Sequence, residues 1–91
     1  DLAPNFSDAL TTLGKILMDQ GRLGEAAPYL RKAASDPIFR GAFKAKTSLG
    51  IISYRHADYE NAQRFFDQAI EESPDQACVA RYYRGHLALQ K

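Results

Sequence analysis

The chain contains two copies of one pattern, and this internal repetition constrains its fold more than any other feature. The pair Leu13-Gly14 recurs 36 residues later as Leu49-Gly50. Small and large residues follow each glycine at the same intervals: Gly21, Ala26, Leu30 and Ala33 in the first copy, and Ala57, Ala62, Phe66 and Ala69 in the second. Repeats of this length build folds in which similar units stack side by side.

Each copy has the pattern of two antiparallel helices joined by a tight turn. Apolar residues recur every three or four positions, as at Leu10, Leu13 and Leu17. Gly21 suits a helix end, because glycine readily adopts the left-handed conformation that terminates many helices. The spacing therefore predicts an all-α chain of about five antiparallel helices, at residues 6–20, 23–35, 38–56, 59–72 and 75–90.

The fifth predicted helix has two alternative registers. Counting from the preceding proline places Ala80, Tyr83 and Leu87 on its buried face. Aligning the helix on Gly85 instead would bury two arginines, which is costly without partners. We therefore expect the first register.

Both copies resemble the tetratricopeptide repeat, a pair of helices about 34 residues long. That family has a tryptophan three residues before the Leu-Gly pair and a tyrosine three residues after it. These positions hold Leu10 and Leu17 in the first copy, and Lys46 and Ser53 in the second. The resemblance implies a helix-turn-helix solenoid that forms one domain over residues 1–91. Its expected parts are repeat one at about 7–40, repeat two at about 43–76, and the first helix of a third repeat or a capping helix at 77–91.

Composition argues against nucleic acid and membrane surfaces as partners. The formal net charge is only +1, which gives no general attraction to polyanions. No apolar run approaches the roughly 20 residues that span a bilayer. Any membrane attachment is therefore expected to come from an anchor outside this sequence. The start at Asp1 rather than Met favours a mature or trimmed fragment.

The sequence carries no pattern typical of an active site, so we expect no enzyme, cofactor, metal site or small-molecule substrate. His56 and His86 lie outside any spacing typical of zinc ligands. Cys78 and His86 are eight residues apart on one predicted helix. That spacing separates them by about 12 Å, too far for a nucleophile and its base.

Binding of a protein segment is the function that the resemblance implies, because first helices of successive tetratricopeptide repeats line a groove. Apolar groove residues would receive side chains of a bound peptide or helix, and basic ones would favour an acidic partner. Lysines and arginines at such positions are also typical of an ordinary solvated surface. The predicted groove residues are Lys15, Met18, Lys44, Thr47, Ile51, Tyr54, Arg55 and Arg81.

The connection between the two copies, DPIFRGAF at residues 36–43, is longer than the repeat requires. Asp36 followed by Pro37 is typical of a helix start. We therefore predict that the third helix is extended at its N terminus by about a turn. Phe39 and Phe43 then either cover the end of the preceding helix pair or form an exposed contact site.

This connection also resembles a narrower family, the tetratricopeptide pilotins of type IV pili. The similar segment is Ser35-Asp36-Pro37, followed by Phe39 and a new Leu-Gly helix. Such proteins are outer-membrane lipoproteins that help to assemble the secretin ring. The resemblance implies a secretin subunit as partner and a location in the periplasm or at the outer membrane. The alternatives are a cytoplasmic adaptor or co-chaperone, and a regulatory repeat domain attached to a catalytic domain.

Overall fold

The computed structural model describes residues 3–36, 39, 41–75 and 77–90, with side chains described between 7 and 87. The described backbone contains helices and no strand, which confirms the predicted all-α fold. The helices are α1 (Ala3–Asp19), α2 (Leu23–Ala34), α3 (Ala42–Arg55), α4 (Tyr59–Glu72) and α5 (Cys78–Gln90). Each helix packs against the next along the chain. None of these helices is long and apolar enough to cross a membrane.

The two helices of each pair approach closely because a glycine on one faces a large side chain on the other. A Cβ atom added at Gly14 would lie 2.6 Å from Leu30 Cγ, and one added at Gly50 would lie 2.5 Å from Phe66 Cε1. Atoms cannot pack at such distances, so any larger residue would push the helices apart. Leu30 and Phe66 are fully buried at these contacts. The glycines and the large residues of the repeat pattern therefore form the centre of each pair.

The turn between α1 and α2 ends α1 with two backbone hydrogen bonds typical of a Schellman motif. Gly21 N–H donates to Met18 O at 2.9 Å, and Arg22 N–H donates to Leu17 O at 2.9 Å. Gly21 has a φ of +80°, which glycine adopts without steric cost. Arg22 also pairs with Glu25, Nη2 to Oε1 at 2.7 Å, and this hydrogen bond raises the pKa of Arg22.

The turn between α3 and α4 uses the same motif with a non-glycine residue. Ala57 N–H donates to Tyr54 O at 3.0 Å, and Asp58 N–H donates to Ser53 O at 2.8 Å. Ala57 has a φ of +62°, a conformation that its Cβ atom makes unfavourable. Asp58 then caps α4, because its carboxylate accepts a hydrogen bond from the backbone N–H of Asn61 at 3.5 Å, and it also accepts one from Asn61 Nδ2 at 2.7 Å.

The predicted extension of the third helix is wrong, because α3 begins at Ala42 rather than at residue 38. Two turn-type hydrogen bonds precede it: Phe39 N–H to Asp36 O at 3.3 Å and Ala42 N–H to Phe39 O at 3.2 Å. Asp36 does not cap α3. Its carboxylate accepts a hydrogen bond of 2.6 Å from the hydroxyl of Ser7 on α1. The predicted roles of 37, 38 and 40 lie outside the described residues.

Gly41 explains why α3 starts where it does. Glycine inside a helix costs about 1 kcal/mol relative to alanine, so it favours a boundary. The ring of Phe39 also lies close to Gly41, at a distance where a Cβ atom would meet its Cζ at 2.7 Å. Phe39 is half-buried against the core of the first pair, and Phe43 is buried in the core of the second. Both aromatic residues therefore take part in packing at the junction of the two pairs.

An aromatic cluster joins α5 to the second helix pair. Tyr83 stacks on Phe66 with ring centroids 5.5 Å apart, and it meets Tyr54 edge-on at 5.4 Å. Ala80 and Leu87 are buried in the same core. The predicted buried face of the fifth helix is therefore confirmed, although α5 begins later than predicted.

We expect Phe66→Ala to lower the free energy of unfolding by about 3–5 kcal/mol, because it leaves a cavity opposite Gly50. Urea denaturation followed by circular dichroism measures this loss. Phe65→Ala is the matched control, because Phe65 is only partly buried at the core edge and should cost clearly less. Equal losses for the two variants would contradict a central role for Phe66.

We expect Ala57→Gly to raise the free energy of unfolding by about 1 kcal/mol, because it removes the backbone strain of an alanine in the left-handed conformation. The reciprocal change Gly21→Ala should lower the free energy of unfolding by a similar amount. Thermal and urea melts of the two variants measure both effects. A loss of stability in Ala57→Gly would show that backbone strain at this turn is not the dominant effect.

Candidate functional site

Helices α1, α3 and α5 enclose a cavity of about 260 Å³, which we call the Lys44 cavity. Its lining comprises Lys15, Phe43, Lys44, Thr47, Ser48, Ile51, Ala77, Val79 and Ala80. The five α3 residues share one side of the helix because they recur at intervals of three and four. The start of α5 supplies the opposite wall. The cavity therefore exists only where all three helices meet.

The floor of the Lys44 cavity is mainly carbon. Phe43, Ala77 and Ala80 are buried there. The hydroxyl of Thr47 donates a hydrogen bond to the backbone carbonyl of Phe43 at 2.8 Å, so it is paired within its own helix. Among the side chains that the structure describes, no buried nitrogen or oxygen lacks a hydrogen-bond partner. The hydroxyl of Ser48, a buried residue that also lines the cavity, is therefore the polar group that this mainly apolar floor offers to a ligand.

Two lysines stand at the rim of this cavity. Lys15 of α1 and Lys44 of α3 are both exposed, and neither forms an ion pair with a carboxylate among the described residues. Lys44 Nζ lies 6.0 Å from the centroid of the Phe43 ring, at the outer limit of a cation–π contact. Lys46, in contrast, pairs with Glu72 of α4. The rim lysines are therefore accessible to an anionic ligand.

A second cavity of about 340 Å³, the Arg55 cavity, continues this surface toward the end of α3. Its lining comprises Lys15, Met18, Asp19, Ser48, Ile51, Arg55 and Tyr83. Lys15, Ser48 and Ile51 line both cavities, so the two are continuous. We call this continuous surface the groove. Among its described lining residues, three are cationic and only Asp19 is acidic.

Most of the predicted groove residues do meet in the groove, and two do not. Tyr54 lies in the second core, where its ring contacts Tyr59 at 5.6 Å and Tyr83 at 5.4 Å. Arg81 is exposed on α5 and lines neither cavity. The predicted residues that line the groove are Lys15, Met18, Lys44, Thr47, Ile51 and Arg55.

Ser48 and Val79 line the groove but were not among the predicted groove residues, although the fifth helix was expected to contribute through Arg81. Ser48 lies four residues after Lys44 and three before Ile51, so helical spacing was a sufficient signal for it. Val79 stands in the wall with 52% of its surface exposed. No spacing marked Val79, because its place beside α3 depends on how α5 docks onto the second pair.

The opposite side of the molecule carries a third cavity of about 430 Å³, the Arg31 cavity, between α2, α3 and α4. Its polar residues have mixed charge, including Arg31, Asp58 and His56. Asp58 is already engaged in capping α4. The Arg31 cavity therefore lacks the consistent charge of the groove.

Cys78 and His86, the pair predicted to be unsuited to catalysis, do not line the groove. Cys78 is exposed at the start of α5, and the His86 ring packs on Tyr82 at 4.5 Å. Within the described part of the chain, no three His, Cys, Asp or Glu side chains are close enough to hold a metal ion. The groove is thus the surface with the clearest means of holding a ligand.

Comparison with known protein families identifies the repeat that builds this groove. Residues 11–77, well over half of the 91-residue chain, match the family model of the tetratricopeptide repeat. Comparisons with curated proteins and with solved structures gave no significant match. The matched segment runs from the middle of α1 through α4 and includes both glycine contacts, and the chain therefore belongs to the tetratricopeptide repeat family.

Proposed function

We propose that this chain is a scaffold that binds a segment of a protein partner in the groove of α1, α3 and α5. Tetratricopeptide repeats are typically interaction modules without catalytic activity, which supports a binding function. The main support for this proposal is the composition of the groove. It combines an apolar floor with rim cations that have no carboxylate partner among the described residues.

The charge of the groove favours an acidic partner segment. Lys15, Lys44 and Arg55 lie along one continuous surface, with Asp19 as the acid in its described lining. Opposite charges across an interface speed association and select between partners more than they add affinity. Binding should therefore weaken as salt is raised. The partner segment is a peptide or a helix with several Asp or Glu residues.

The pilotin-like role is a narrower proposal, with a secretin subunit as the partner. It rests on the sequence of the connection around Phe39, which forms a turn rather than the predicted helical extension. A cytoplasmic adaptor or a regulatory repeat domain would use the same groove for another protein. The identity of the captured partner therefore separates these roles, whereas the groove residues are common to all of them.

Reversing two groove charges should weaken partner binding at least about tenfold, because it replaces attraction by repulsion. The variant is Lys15→Glu with Arg55→Glu, since both side chains are exposed and their loss removes no core contact. The measurement is quantitative co-purification from cells of the source organism, at two salt concentrations. Circular dichroism checks that the helices remain intact.

The matched control reverses the same number of charges on the other helices. Arg31→Glu with Arg64→Glu changes exposed residues of α2 and α4, so net charge falls equally. This control should keep its partners. If the groove variant retained every partner of the unchanged protein, the assignment of the groove would be wrong. Capture of a secretin subunit would support the pilotin-like role, and capture of a cytoplasmic protein would contradict it.

A further inference from the structure

The Lys44 cavity has room for a side chain of a bound partner. Its volume is about 260 Å³. A single water molecule in the liquid has a share of only about 30 Å³, so the space is much larger than a hydration site. Val79 in the cavity wall is half-exposed. An extended or helical segment lying in the groove can therefore insert one side chain here.

The chemistry of the floor selects an apolar side chain. Phe43, Ala77 and Ala80 offer carbon surface, and the hydroxyl of Thr47 is already bonded to a backbone carbonyl. A polar side chain entering this floor would lose its hydrogen bonds to water and would meet mainly carbon, with the hydroxyl of Ser48 as the polar group in reach. An apolar side chain would instead gain from leaving water.

The rim of the same cavity favours a partner segment that carries carboxylates next to that apolar side chain. Lys15 and Lys44 reach it from two different helices, and no acidic residue is among its described lining residues. The Arg55 cavity differs in this respect, because Asp19 lines it. Attraction for an acidic segment is therefore least opposed around the Lys44 cavity.

We infer that the Lys44 cavity is the anchor site of the partner segment. It takes one apolar side chain, of leucine or isoleucine size, from a protein segment in which Asp or Glu residues flank that side chain. This inference rests on the proposed function of the groove. It adds the position at which the partner is anchored and the sequence motif that the partner segment carries. Lys15 and Lys44 contact the flanking carboxylates, and Val79 contacts the anchor.

A pair of synthetic peptides tests the anchor. The first is a fluorescein-labelled peptide with one leucine between two Glu-Asp-Glu triplets, and the second has serine in place of the leucine. Fluorescence polarisation measures the affinity of each peptide for the whole chain. The leucine peptide should bind about tenfold more tightly, since only leucine gains from burial in the cavity.

Two variants test whether the bound leucine lies in the Lys44 cavity. Val79→Asp puts a carboxylate in the cavity wall and should remove the preference for leucine over serine. Its matched control is Cys78→Asp, which adds the same charge at the neighbouring exposed residue outside the cavity lining. Lys44→Glu should weaken both peptides about tenfold, whereas Arg31→Glu on the far side of the molecule should not. Thermal melts confirm that all four variants remain folded.

The outcomes separate this inference from the proposed function. Equal binding of the two peptides, with both weakened by Lys44→Glu, would overturn the apolar anchor and leave binding in the groove supported. Binding of the leucine peptide that neither Val79→Asp nor Lys44→Glu reduces would overturn both. Failure of both peptides to bind would overturn the motif, while the co-purification experiment with the Lys15 and Arg55 variant would still decide the proposed function.

Discussion

The contact between a glycine and a large side chain sets the distances on which the rest of the structure depends. In the second pair, Gly50 of α3 leaves room for Phe66 of α4, which is fully buried. The same Phe66 ring stacks on Tyr83 of α5. Because Tyr83 also lines the groove, one buried ring connects α4 to α3 and α5, two of the three helices that form the groove. The distance between α3 and α5 therefore depends on Phe66, which is fully buried and does not line the groove.

Equivalent residues of the two repeats differ in burial because burial depends on the neighbouring pair. Leu49 and Ile52 of α3 are 4% and 6% exposed, since α3 lies on the first pair. Leu13 and Ile16 hold the same repeat positions in α1 and are 40% and 48% exposed. The residue types are the same at both places. The difference is that α3 packs on a preceding helix pair in the described structure. Burial at these positions therefore depends on how the pairs stack, not on the sequence of one repeat.

This dependence explains which features could be predicted from the sequence. The helix pairs and the buried face of α5 follow from the spacing of small and apolar residues, and both were predicted. The groove was predicted only in part, because Tyr54 and Arg81 were assigned by repeat position alone. The docking of α5 packs the half-buried Tyr54 ring against Tyr83 and brings Val79 to the groove. The start of α3 was mispredicted because Gly41 outweighed the apolar pattern around it.

Net charge was also a poor guide to recognition, for a physical reason. The whole chain carries only +1, which gives no general attraction for an anion. Screening limits electrostatic attraction in solution to about 8 Å at physiological salt, so a bound segment responds to the charges near it. Near the groove these are Lys15, Lys44 and Arg55 against Asp19. Lys46, two residues after Lys44 and on another side of α3, forms an ion pair with Glu72 of α4. A nearly neutral chain can thus present a cationic groove, because the fold pairs Lys46 across helices and leaves Lys15 and Lys44 exposed at the groove.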